Sequence, residues 1–283
     1  MILGIFKSRA WYRYSSEPLA VFGLGLLFVI VFLAVLAPVL TPYPNHAGRF
    51  VDFGNTSRPP SLQHWFGTDL VGRDVLTRVV YGYRISLVIG FVVLGLAAPL
   101  GVTLGLVAGY MGGRFDTVIM RITDVFLAIP ALVLAMAVLG VLERTLINGL
   151  LALAVLWWPW YTRMVYNQTR ALRHEEFVVA ARVVGASHLH ILFREILPNL
   201  LPSVLTKFTL DLGFVILVAS ALSFLGLGVE PPTPDLGSMV AEGATYQPDM
   251  WWLPVFPGLA ILLVVLAFNL VGDGLRSMFG EGR

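Results

Sequence analysis

Two pairs of opposite charges at helical spacing lie within otherwise apolar stretches of this chain. Arg121 and Asp124 are three residues apart, and Lys207 and Asp211 are four residues apart, so the members of each pair share one helix face. Ionisable residues inside a membrane are costly and often mark a transport or proton pathway. Self-pairing explains both pairs at a lower cost than a proton relay does. The spacing therefore predicts two ion pairs with a structural role.

No arrangement typical of an enzyme or a metal site accompanies these charges. His188 and His190 are two residues apart, which on a helix directs them to different faces and argues against a shared metal. Lys7 and Lys207 are the only lysines, and neither ends a phosphate-binding G-x-x-x-x-G-K-[ST] loop. The chain has no cysteine, which excludes disulfides and thiolate ligands. We expect no catalytic residue, no metal and no cofactor on this chain.

The elements that hold these charges are predicted to be membrane helices. Hydrophobic residues make up 57% of the chain and charged residues 13%, and the mean hydropathy is +0.81, which excludes an ordinary water-soluble globule. Each of six apolar runs is taken as one crossing of a bilayer core about 30 Å thick. The sequence predicts an all-α membrane protein with spans at Leu19–Ala37, Ile85–Ala108, Val118–Leu142, Leu146–Tyr161, Pro202–Leu225 and Leu253–Val271.

Six spans put both termini on one side of the membrane. If the termini are cytoplasmic, thirteen of the 19 Lys and Arg residues lie inside or near the cytoplasm, in agreement with the positive-inside rule. The predicted organisation is a cytoplasmic segment 1–18, a first span 19–37, a periplasmic segment 38–84, a five-helix core 85–273 and a cytoplasmic tail 274–283. A net charge of +2 gives no reason to expect a nucleic-acid partner.

Two polar segments are predicted to lie outside. The first contains isolated histidines, His46 and His64, and a predicted short helix from Leu70 to Tyr83 that leads into the second span. The second, residues 226–252, contains four carboxylates and no Lys or Arg. Trp251 and Trp252 at its end are a predicted interfacial anchor.

A stripe of small residues runs along the second predicted span. Gly101, Gly105 and Gly109 repeat at every fourth position, a spacing that lets two membrane helices approach closely. The stripe predicts a helix-packing face, which membrane bundles of every kind share.

The stretch from Glu175 to Pro202 is polar and helix-forming in a chain that is otherwise almost all membrane. Phe177, Ala180, Ala181 and Val184 have the spacing of one helix face, and Leu189, Leu192, Phe193 and Ile196 repeat it. We predict two short amphipathic helices, with a sharp turn at Gly185, a cap at Ser187 and an end of the second helix at Pro198.

This stretch resembles the "EAA" loop of permease subunits in ATP-binding-cassette importers. Ala181, Gly185 and the pair Leu197-Pro198 fit its pattern. There are two departures: the glutamate of the family falls on Val179 here, and its isoleucine falls on Glu195. In the family this loop is the cytoplasmic coupling helix that docks into a cleft on the ATPase.

Further stretches resemble the dipeptide, oligopeptide and nickel permeases over almost the whole chain. The single leading span and the external Gly-Thr-Asp segment are similar to the second, C-type permease of the pair. One departure is Leu236, where many relatives carry tryptophan. The matching stretches are His64–Asp69, Gly72–Leu76, Ala108–Gly113 with Asp116, Met120–Pro130, Leu222–Gly228, Pro231–Pro234 and Asn269–Arg276.

The resemblance implies a type I importer permease fold and the partners of such a system. These are a second permease, two cytoplasmic ATPase subunits that bind ATP and Mg, and an external substrate-binding protein. Glu242 and Asp249 are candidate contacts for that protein. The residues expected to couple to the ATPase lie in a loop at 167–199: Glu176, Phe177, Ala180, Ala181, Arg182, Gly185, Ala186, Ser187, Leu197 and Pro198.

The expected function is ATP-driven import of di- or oligopeptides, with nickel chelates or glutathione as alternative substrates. A gradient-driven transporter remains as a second class, and it would need coupling-ion groups such as Asp124 or Asp211. A membrane scaffold that moves nothing is the third.

Overall fold

The computed structural model describes residues 9–143 and 145–280, and these residues form helices joined by turns, with no strand longer than an isolated bridge. Residues 1–8, 144 and 281–283, which include parts of both predicted cytoplasmic ends, lie outside the described residues. The helices are α1 (Arg9–Ser15), α2 (Pro18–Val35), α3 (Ala37–Leu40), α4 (Val75–Met111), α5 (Gly113–Ala128), α6 (Ala131–Val141), α7 (Leu146–Leu172), α8 (Glu176–Val183), α9 (His188–Phe224), α10 (Leu236–Ala244) and α11 (Trp252–Phe279).

The second span belongs to one helix of 37 residues, so the structure differs from the predicted short helix at Leu70–Tyr83. Helix α4 begins directly after Asp74, whose carboxylate accepts a 2.8 Å hydrogen bond from the Thr77 backbone N–H. This N-cap satisfies a backbone donor that the first turn leaves free. The polar segment before α4 contains 3-10 turns at Pro44–Ala47 and Phe53–Asn55.

The third predicted span is broken. Helices α5 and α6 meet at an angle of 88°. Pro130 lies at the break and Ile129 before it is extended, with φ −94° and ψ 130°. A proline disfavours helical geometry in the residue before it and removes a backbone donor. The span predicted for Val118–Leu142 is therefore bent near its middle.

Helix α9 continues through Pro198 and Pro202, so the predicted helix end at Pro198 is wrong. Residues 191–196 form a π-helical segment, and the Leu197 backbone N–H donates to the Leu192 carbonyl, five residues back. The wider π-helical turns shift the backbone hydrogen bonds directly before Pro198 and Pro202, neither of which has a backbone N–H to donate. The predicted fifth span and the second helix of the polar stretch are therefore one helix.

Four helices are long and apolar enough to cross a membrane within the described residues, or five if α5 and α6 count as one bent span. Helix α7 has 27 residues, but its Trp and Tyr residues lower its mean hydropathy. The predicted number of six spans is not confirmed by length and hydropathy alone. Helix α11 extends to Phe279, well into the predicted tail.

Helices α4 and α7 pack along the glycine stripe. A Cβ atom at Gly105 would lie 2.7 Å from the Thr162 carbonyl oxygen, and one at Gly109 would lie 2.8 Å from Thr169 Cβ. At Gly101 the added atom would clash with Trp158 and Tyr161. These positions therefore require glycine if the two helices are to keep their separation.

Candidate functional site

The polar stretch folds as a helical hairpin, here defined as residues 173–199, made of α8, a turn and the first turns of α9. Gly185 has φ +82°, in the left-handed region that favours glycine. The Ser187 hydroxyl accepts a 3.3 Å hydrogen bond from the His190 backbone N–H. The turn at Gly185 and the cap at Ser187 therefore match the local features expected from the sequence.

The inner face of the hairpin packs on the helix bundle. Val178, Ile191 and Ile196 are fully buried in the main hydrophobic core. Ala181 and Ala186 are partly buried against the same core. The structure therefore places Ala181 on the packing face, not on the exposed surface where it was expected. Val178 was not among the predicted site residues, although it lies three residues before Ala181.

The outer face of the hairpin is apolar and free within the described chain. Val183 is 81% exposed, Val184 82% and Leu189 68%. Leu192 and Ile196 point inward, so the single apolar face expected for the second helix is divided between two sides. We define the outer face as Phe177, Val179, Ala180, Val183, Val184, Leu189 and Phe193, all of which are exposed.

Three side chains attach the hairpin to the end of α4. The Arg182 guanidinium lies over the Tyr110 ring, 5.2 Å from its centroid, and the Tyr110 hydroxyl is 3.2 Å from His188 Nδ1. Arg173 donates to the Gly109 carbonyl at 3.3 Å. Arg182 was expected to couple to a partner, but its charged group contacts this chain. Tyr110 was not predicted, since only the fold brings it to the hairpin.

Other predicted coupling residues have mixed positions. Glu176 and Pro198 are exposed, and Leu197 is partly buried within α9. Val179, which stands at the position of the family's glutamate, is 45% exposed on the outer face. Glu195 is the second departure from the family pattern, and its carboxylate oxygen lies 3.4 Å from His190 Nε2.

Of the two predicted ion pairs, the structure forms Lys207–Asp211 and gives Asp124 a different partner. Lys207 and Asp211 are joined on α9, with Nζ–O distances of 3.1 and 3.0 Å to the two carboxylate oxygens. Asp124 instead pairs with Arg163 of α7, and the predicted partner Arg121 is exposed. The spacing of Arg121 and Asp124 allows an ion pair on one helix. Because α5 lies against α7, Asp124 pairs with Arg163 instead.

At the opposite end of α4, His46 and His64 are buried and both contact Asp74, so the expectation of isolated histidines is wrong. His64 Nδ1 is 2.9 Å from the Asp74 carboxylate, and the Asp74 backbone N–H donates to His46 Nδ1 at 2.9 Å. Burial lowers the pKa of His46, although the nearby Asp74 charge opposes this shift. A second buried group joins Asp69 to Arg73 and Arg78.

The acidic segment lies against these groups. Glu242 and Asp249 are both exposed, and Glu242 borders a small cavity with Asp69 and Arg78. Trp252 is buried and its indole N–H donates to the Thr68 carbonyl at 3.2 Å, so it links the start of α11 to the segment before α4.

Leu236, which departs from the family's tryptophan, is fully buried. A Cβ atom at Gly82 of α4 would contact its side chain. This position therefore packs helices and offers no external contact.

The arrangement of the helices is that of a known class of membrane transporter. The structure is similar to that of the MetNI methionine ABC transporter in an inward-facing conformation, with a TM-score of 0.59 over 74% of this chain and 98% of that chain. At 20% sequence identity this similarity shows the fold alone.

The chain belongs to the family of binding-protein-dependent transport system inner membrane components, whose model matches residues 101–282. Residues 6–60 match the N-terminal transmembrane domain of oligopeptide transport permease C. The protein is therefore a multi-pass membrane transport subunit, and the resemblance to C-type permeases is confirmed.

Curated relatives align over nearly the full chain. The dipeptide transport system permease DppC of Alkalihalophilus pseudofirmus is 41% identical, covering 95% of this chain and 88% of the relative. The probable D,D-dipeptide permease DdpC of Escherichia coli K12 is 41% identical over 93% and 88%. The glutathione permease GsiD of Escherichia coli O6:K15:H31 is 42% identical over 94% and 88%.

Proposed function

We propose that this chain is one of two permease subunits of an ATP-driven importer for small peptides. The single observation that carries the proposal is the family membership of the chain, together with relatives that are named for dipeptide, D,D-dipeptide and glutathione transport. Glutathione is itself a peptide, so the three names share one substrate class. Nickel chelates remain the alternative substrate.

The outer face of the hairpin is the proposed docking surface for an ATPase subunit. Its large apolar side chains are exposed although they lie on well-formed helices, and a groove on a partner would remove them from water. ATP and Mg would bind on two such ATPase subunits. The hairpin would transmit their closure to the membrane helices through α9.

The proposed location of the chain is the inner membrane, with the hairpin and both termini on the cytoplasmic side. Most of the Lys and Arg residues then lie on the cytoplasmic side. The segments around His64 and Asp249 face the external binding protein, for which Glu242 and Asp249 offer negative charge. A second, related permease would complete the pathway.

A gradient-driven carrier finds less support. Asp124 and Asp211 were the candidate coupling carboxylates, and each has a basic partner, Arg163 and Lys207 respectively. Such a carrier also gives no role to an exposed apolar hairpin.

The test is a comparison of two substitutions of exposed apolar residues at opposite ends of the molecule. Val184→Asp places a charge on the outer face, whereas Leu62→Asp changes a residue that is 96% exposed in the external segment. Burying a valine side chain contributes about 1.5–3 kcal/mol, so we expect Val184→Asp to weaken ATPase binding at least tenfold.

The measurements are co-purification of the ATPase subunits from solubilised membranes and uptake of a labelled dipeptide into cells at equal expression. Leu62→Asp should keep the ATPase at the wild-type level. Full ATPase binding and full uptake by Val184→Asp would refute the docking role of the hairpin.

A further inference from the structure

The ion pair on α9 is only partly covered. The Lys207 side chain is 25% exposed and the Asp211 side chain 12%. The ammonium lies 5.2 Å from the centroid of the Tyr161 ring, which is fully buried on α7. Asp211 and Tyr161 thus hold the lysine between two helices while part of its charged group stays accessible.

The pair lies in the first half of the predicted span Pro202–Leu225. Lys207 is five and Asp211 nine residues after Pro202, roughly 8 and 14 Å at 1.5 Å per residue. The residues that follow, up to Phe224, are mostly apolar. A charged group exposed to hydrocarbon at this depth is costly, so the accessible part of the ammonium must face protein or water.

The direction of the lysine also argues against a purely interfacial role. A lysine near a membrane surface extends towards that surface, and helical side chains tilt towards the N-terminus. Lys207 instead reaches Asp211, one turn towards the C-terminus and further from the hairpin. The fold therefore keeps the positive charge inside the membrane.

The surroundings have unused hydrogen-bonding capacity. The ammonium has three donors, and the pair with Asp211 does not occupy all of them. The buried hydroxyl of Thr206, next to Lys207 in the sequence, has no hydrogen-bond partner among the described residues. An ammonium and a hydroxyl donor together suit a carboxylate.

An apolar cavity is bordered by α7 and α9, towards Phe224. Its lining includes Leu153 of α7 and Ala219 and Leu222 of α9. The rings of Trp157 and Phe214, 5.8 Å apart, lie between this cavity and the ion pair. The groove between the two helices thus combines a site for a charge with space for an apolar group.

We propose that Lys207, held by Asp211 and Tyr161, is a subsite of the translocation pathway that binds a carboxylate of the transported peptide. The proposal rests on the proposed function of the chain as a peptide importer. Lys207 would touch the substrate, whereas Asp211 and Tyr161 would position the ammonium.

The absence of cysteine allows a direct test in the assembled importer. Lys207→Cys should lower peptide uptake about tenfold, because a charge-assisted hydrogen bond is lost. Reaction of the new thiol with aminoethyl methanethiosulfonate returns a positive charge and should restore uptake. The neutral methyl reagent should not. Wild-type complex treated with both reagents controls for cysteines on partner subunits.

A second variant separates substrate binding from a structural role. Lys207→Met combined with Asp211→Leu replaces the pair with apolar residues, a change that buried ion pairs often tolerate without loss of stability. The subsite predicts about tenfold lower uptake by an assembled complex. Normal uptake would overturn the proposal. If this variant fails to assemble, Lys207→Arg retaining uptake and Lys207→Gln losing it supports the subsite, and equal uptake by both overturns it.

ATP hydrolysis stimulated by the binding protein distinguishes the two proposals. A Lys207 variant should keep this stimulation while losing uptake. If the wild-type complex lacks the stimulation and takes up no peptide, the proposed importer function itself fails. If the wild type transports but the thiol at the Lys207→Cys position is unreactive in every nucleotide state with uptake intact, only the subsite fails.

Discussion

Gly185→Asp tests the hairpin at its turn. The backbone there has φ +82°, which costs a residue with a side chain on the order of 1–3 kcal/mol. No atom lies within 4 Å of the position that a Cβ atom would occupy, so no steric clash adds to this cost. Backbone strain alone should therefore lower the population of the docking-competent hairpin about five- to 150-fold.

The aspartate also carries a charge next to Val184, on the outer face. Two further variants separate charge from strain. Gly185→Asn is neutral and asparagine tolerates the left-handed conformation, whereas Gly185→Ala has strain without polarity. We expect ATPase binding and uptake to fall in the order Asn, Ala, Asp, with Asp lowest.

The assay is ATPase co-purification and peptide uptake at equal expression. Ala181→Glu is a control that shows the effect of disrupting the hairpin's packing, because Ala181 packs on the core. It should disturb the folding of the hairpin, seen as faster proteolysis at the hairpin, while Gly185→Asn should not. If Gly185→Asp retains full ATPase binding and full uptake, the hairpin is not the coupling element.

Three other predictions concern orientation and the external segments. Single cysteines at the exposed residues Ser187 and Thr245 should react with an impermeant maleimide from opposite sides, and labelling of both in intact cells would contradict the proposed topology. Asp249→Asn should weaken binding-protein docking and its salt dependence without changing ATPase assembly, and unchanged docking at low salt would remove this carboxylate from the interface. The pKa of His46 is lowered from its ordinary value of 6.5 in the folded state, so the unfolded segment takes up the proton first and stability is lost as the pH falls below about 6.5. The protection factors of amides near His46, which are corrected for the intrinsic pH dependence of hydrogen exchange, should fall between pH 7.5 and 5.5. A His46→Gln variant should remove most of this change.

Features that depend on neighbouring residues were predictable from the sequence. The left-handed turn at Gly185 and the cap at Ser187 follow from local backbone chemistry. Lys207 and Asp211 are one helical turn apart, so their pairing needs nothing but a helix. The glycine stripe at Gly105 likewise required a close helix, although the sequence did not say which one.

Features that depend on the approach of distant elements were not predictable. Asp124 pairs with Arg163 because α7, which follows the bend at Pro130, lies against α5, which precedes it. His46 meets Asp74 across 28 positions of an irregular segment whose path has no periodic signal. Pro198 has the pattern of a helix end, and only the π-helical segment before it lets the helix continue.

The continuity of α9 connects the docking surface to the proposed carboxylate subsite. Leu189 of the outer face and Lys207 are on one helix, 18 residues apart, roughly 27 Å along the axis. Tyr161 is on α7, which packs closely against α4 along the glycine stripe. A displacement of the hairpin must then move Lys207 relative to Tyr161 and change the exposure of the ammonium. We therefore expect the thiol introduced by Lys207→Cys to react at different rates with and without ATP. Equal rates would show that movement of the hairpin is not transmitted to position 207.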